Sequence, residues 1–63
     1  MDINFEIFFN ELKQSVIKKT PKRFDSKILE PIFKRNKWKV ESWYIHNMNI
    51  EKASKEFIIQ FIA

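Results

Sequence analysis

No glycine occurs anywhere in these 63 residues. Glycine is the residue that most cheaply takes positive φ. Glycine-based tight hairpins, Rossmann fingerprints and phosphate-cradling loops are therefore closed to this chain. The length allows one small domain, residues 1–63. A chain this short buries only about 60% of its unfolded surface. With no cysteine there is no disulfide or thiolate metal site to compensate, so packing or oligomerisation must stabilise it.

The apolar residues are large: seven Phe, two Trp, one Tyr and ten Ile against two Leu. A few buried aromatics, each hiding roughly 150–250 Å², make a core for a chain of this size. Their spacing predicts three helices. The first runs from Asp2, as N-cap, to about Lys19, with Phe5, Phe8, Phe9, Leu12 and Val16 on one stripe and Ile3, Ile7 and Ile17 off it. The second starts at Thr20-Pro21, a good N-cap and first-position pair. It carries Phe24, Ile28, Leu29, Ile32 and Phe33 on one side and Arg23, Lys27, Lys34 and Lys37 on the other. Pro31 falls inside it, so this helix is kinked or split there. The third spans Asn49 to Ala63, capped by Asn49 or Asn47, with Ile50, Ala53, Phe57, Ile58 and Phe61 inward. Residues 38–46 mix strand-like composition with helical spacing at Val40, Trp43 and Tyr44; helix or irregular structure is favoured, and a short hairpin is the alternative. The fold class expected is mainly α, a small three-helix bundle.

Charge is unevenly spread along this chain. Nine of its twelve Lys/Arg lie between Lys18 and Lys39, where only Asp25 and Glu30 oppose them, giving a local +7 within a net +4. A basic stretch between mildly acidic ends points to an anionic partner. Cations on one face neutralise phosphates and give affinity with little sequence information. The candidate nucleic-acid residues are Arg23, Lys27, Lys34, Lys37 and Lys39, with Trp38 able to stack an unpaired base. One of Trp38 and Trp43 is expected to be buried and the other partly exposed; spacing does not say which. Lysines outnumber arginines ten to two, which tells against base readout and leans toward an acidic protein patch.

Ile3, Ile7, Phe8, Ile59 and Ile62 exceed what one core stripe per helix requires and are the candidate protein interface. His46 has no convergent partners of diagnostic spacing, and no serine sits in a nucleophile elbow. No catalytic residue, metal site, cofactor or small-molecule substrate is expected. No apolar run approaches a membrane span, and Asp2 and Glu6 stand where a secretory signal is positive, so a cytoplasmic location is the default. The sequence thus supports a non-enzymatic small binding protein, nucleic-acid-associated through its basic centre and self-associating through its terminal helices. The alternative is an inhibitor or accessory subunit that docks an acidic protein surface.

Overall fold

In the computed structural model, which describes residues 3–22 and 24–62, four helices form: α1 (Ile3–Lys19), α2 (Ser26–Arg35), α3 (Lys37–Ile45) and α4 (Ile50–Phe57). A π-helical turn, Ile58–Ile62, extends α4. The protein is mainly α, and no strand occurs among the described residues. The Asp2 cap lies outside them.

The extra helix corrects two sequence expectations. The second helix does not start at Thr20-Pro21. Thr20 instead closes α1: its N–H donates to Val16 C=O at 3.0 Å and its hydroxyl to Ile17 C=O at 3.2 Å. Capping of α2 falls to Asp25, whose carboxylate accepts from Ile28 N–H at 3.2 Å. Of the two alternatives at Pro31, kinked or split, the split does not occur. Pro31 sits inside α2, where its missing N–H leaves the Lys27 carbonyl without its usual helical donor. The break comes five residues later, at Asn36. Both its backbone N–H (3.1 Å) and its Nδ2 (2.9 Å) donate to Ile32 C=O, ending α2, while its own C=O accepts from Lys39 and Val40 to start α3.

Residues 37–45 are therefore helix, and the hairpin alternative for 38–46 is ruled out. The end of α3 shows how a glycine-free chain stops a helix. Asn47 takes φ 59°. Its N–H donates to Tyr44 C=O and that of Met48 to Trp43 C=O, both at 3.0 Å, which is the Schellman pairing. Asn is the residue other than glycine that best tolerates this conformation. Asn49 then caps α4, accepting from Lys52 N–H at 2.8 Å.

The core is Phe5, Phe9, Leu12 and Val16 of α1, Leu29 and Phe33 of α2, Val40 and Trp43 of α3, and Ala53 and Phe57 of α4. Rings chain through it: Phe9 meets Phe33 edge-on at 6.4 Å, Phe33 stacks on Phe57 at 5.0 Å, and Phe57 meets Trp43 edge-on at 6.4 Å. α1 packs on all three other helices, most extensively on α4. Small residues face α1 there. Ser54 is fully buried and accepts from the Ser15 hydroxyl at 3.0 Å while donating to Glu51 C=O at 3.0 Å. Its hydroxyl is thus satisfied at the contact. The radius of gyration, 10.9 Å, is close to the roughly 10.6 Å expected for a compact chain of this length. None of the helices described is long and apolar enough to cross a membrane.

Candidate nucleic-acid interface

The basic centre is dispersed over three helices and one loop. Lys18 and Lys19 end α1, Lys22 is in the following loop, Lys27, Lys34 and Arg35 lie on α2, and Lys37 and Lys39 lie on α3. Arg23 lies outside the described residues. On α2 the buried side is set by Leu29 and Phe33. Lys27 and Lys34, seven residues or two turns apart, fall on the solvent side with Arg35, and all three are exposed. Ile28, expected on the apolar side, is exposed as well.

Lys37 does not join that face. The break at Asn36 puts it on α3, from which its Nζ reaches α1, 3.7 Å from Glu6 Oε1 and 5.7 and 5.4 Å from the ring centres of Phe5 and Phe9. Two more ion pairs cross the molecule. Lys19 meets Glu51 of α4 at 3.0 Å, and Lys13 meets Glu30 of α2 at 4.0 Å. Acids outside the basic centre thus occupy two of its eight described cations, Lys19 and Lys37. Among the described residues, Lys18, Lys22, Lys27, Lys34, Arg35 and Lys39 have no carboxylate within 4.0 Å.

The two tryptophans part company on α3. Trp43 is buried against Phe57, whereas Trp38 is 66% exposed. Lys39 Nζ lies 5.8 Å from the Trp38 ring centre. Trp38 follows Lys34 and Arg35 by three to four residues across the Asn36 junction, so an exposed indole stands where two basic helices meet. Ile45, seven residues along α3, shares the outer side of that helix and is equally exposed.

No protein-family model, curated protein or solved structure matches the chain. The surface is therefore read from its own chemistry.

The terminal apolar residues divide. Ile3, Ile7 and Ile59 are exposed. Phe8 is half-buried against Tyr44, with ring centres 5.5 Å apart, and Ile62 is half-buried against the core. Sequence reasoning counted Arg35 only within the basic stretch and left out Ile45. The signal for Ile45 was its seven-residue spacing from Trp38, opposite Val40 and Trp43. His46 Nδ1 lies 2.8 Å from Ser42 C=O, closing the last turn of α3 as a Nδ1–H donor.

Proposed function

We propose that this protein is a non-enzymatic binding protein for single-stranded or locally unpaired nucleic acid. In this reading Lys27, Lys34 and Arg35 hold the phosphate backbone, and Trp38, flanked by Lys39, stacks a base. The observation that carries the reading is the exposure of Trp38 beside cations that have no acid partner among the described residues. An indole left in water forfeits the burial that a 63-residue chain needs. A base presents a flat face to it and a phosphate to each neighbouring cation. Aromatic–base stacking contributes about 1–3 kcal/mol per base, so Trp38→Ala should weaken binding about 5- to 150-fold.

The test is a fluorescence titration with a short oligonucleotide at low salt. Saturable quenching that disappears in Trp38→Ala is expected, since Trp43 is shielded in the core. Absence of binding at low salt would remove the reading.

Ile45 supports the alternative, docking on an acidic protein. An aliphatic side chain cannot stack a base, and it shares its helix side with Trp38. Trp and Arg beside an aliphatic residue also resemble a protein hot spot. The mark of that alternative is a stoichiometric protein complex whose affinity competitor oligonucleotides do not change.

A further inference from the structure

The outer side of α1 carries a second, independent pattern. Ile3, Ile7, Asn10, Gln14 and Ile17 follow one another at spacings of four, three, four and three, and all five are exposed. That 3.5-residue period is the seam of a coiled coil, and it lies opposite the stripe of Phe5, Phe9, Leu12 and Val16 that fills the core. Ile3 is 73%, Ile7 52% and Ile17 38% exposed, so the seam is apolar at both ends and left uncovered by the fold.

We infer that this side of α1 pairs antiparallel with α1 of a second copy of the chain. The occupant is chosen by charge. Flanking the seam, the first half of α1 carries Glu6 and Glu11 and the second half Lys13 and Lys18, whereas Lys19 turns to Glu51 of α4. A parallel pair sets acid against acid and base against base. An antiparallel pair lays the acidic half of each copy along the basic half of the other and opposes the two helix dipoles. One antiparallel register also matches the seam by chemistry. Ile7 of one copy meets Ile17 of the other, and Asn10 meets Gln14, so apolar layers close both ends of a central pair of amide layers. Polar layers of this kind fix register at a cost in affinity. In that register each edge of the seam carries two acids and two bases.

One helix per copy buries less than the roughly 1,200 Å² of stable complexes, so the dimer is weak, with a dissociation constant on the order of micromolar or above. This inference sharpens the expectation of self-association and does not rest on nucleic-acid binding.

Sedimentation across protein concentration, without nucleic acid, tests it. A monomer–dimer equilibrium is expected, lost in Ile7→Lys and Ile17→Lys while helical circular dichroism persists, because both side chains are exposed. Orientation is read by disulfide trapping, which the cysteine-free chain permits. Mixed Ile7→Cys and Ile17→Cys proteins should cross-link on mild oxidation. Ile7→Cys alone should not, since ten residues of helix, about 15 Å, separate the two thiols in the antiparallel register. A monomer at every concentration, or preferential cross-linking of Ile7→Cys to itself, overturns the inference. The Trp38→Ala protein should dimerise like the parent, which separates failure here from failure of the nucleic-acid reading.

Discussion

Lys37 Nζ lies 3.7 Å from the Glu6 carboxylate and above the rings of Phe5 and Phe9, tying the start of α3 to the start of α1. A cation that sequence position assigns to the basic face is thereby committed to holding two helices together. Both side chains remain more than a third exposed, so the ion pair itself contributes about 0.2–1 kcal/mol, with the ring contacts adding about 0.5–1 kcal/mol. Lys37→Ala should therefore lower unfolding free energy by about 1–2 kcal/mol in urea titrations, less at high salt. It should leave the salt dependence of oligonucleotide binding unchanged, while Lys34→Ala should reduce that slope by about 0.7.

Pro31 is a native defect in α2. The helix continues through it, and the Lys27 carbonyl goes without its helical donor. Pro31 is exposed, so alanine fits without repacking. Pro31→Ala should raise stability by about 1–2 kcal/mol, the restored bond being partly offset by a freer unfolded chain. For a domain of this size that is a melting temperature higher by roughly 4–8 °C per kcal/mol. An unchanged or lowered melting temperature would mean that the break at Asn36 depends on Pro31.

Asn47 carries the positive φ that ends α3. Asn47→Gly should be neutral or slightly stabilising. Asn47→Val should cost about 1–2 kcal/mol, because a β-branched residue is strained in this conformation. Denaturant midpoints of the two variants check the order.

Ser54 is the fully buried polar contact of α4 with α1, 3.0 Å from the Ser15 hydroxyl. Ser54→Ala removes a hydroxyl whose partner, Ser15, is half-buried and can turn to water, so its cost should stay under about 1 kcal/mol. Ser54→Leu must push the helices apart and should cost about 1–3 kcal/mol. Equal effects in calorimetry would contradict close packing at this contact.

The helical class was legible because aromatic and aliphatic residues repeat at 3–4-residue spacing in α1 and α4, and Phe5, Phe9, Leu12, Val16, Ala53 and Phe57 are buried as that spacing requires. The centre was harder to read. Thr20-Pro21 has the chemistry of a helix start, but the Thr20 hydroxyl found a closer acceptor on the helix behind it. Pro31 looked like the breaking point, yet a single lost hydrogen bond was outweighed by burial of Leu29 and Phe33 on either side of it. Asn36 ended the helix instead, through a side-chain bond that no periodicity announces. The candidate site depended on that detail. The break turned Lys37 toward Glu6 and set Trp38 on the outside, whereas an unbroken helix would have carried Lys37 along the face of Lys27 and Lys34.

The most direct measurement is oligonucleotide affinity against salt for the parent and for a Lys27→Glu, Lys34→Glu, Arg35→Glu protein whose fold is verified by circular dichroism. All three side chains are exposed, so the fold should survive. For the parent, the logarithm of affinity should fall linearly with that of salt, at about 0.7 per phosphate contacted on a single strand, and the triple variant should lose binding at every salt concentration. Equal affinity in the two proteins, or binding indifferent to salt, would contradict a phosphate-holding role for this face of α2.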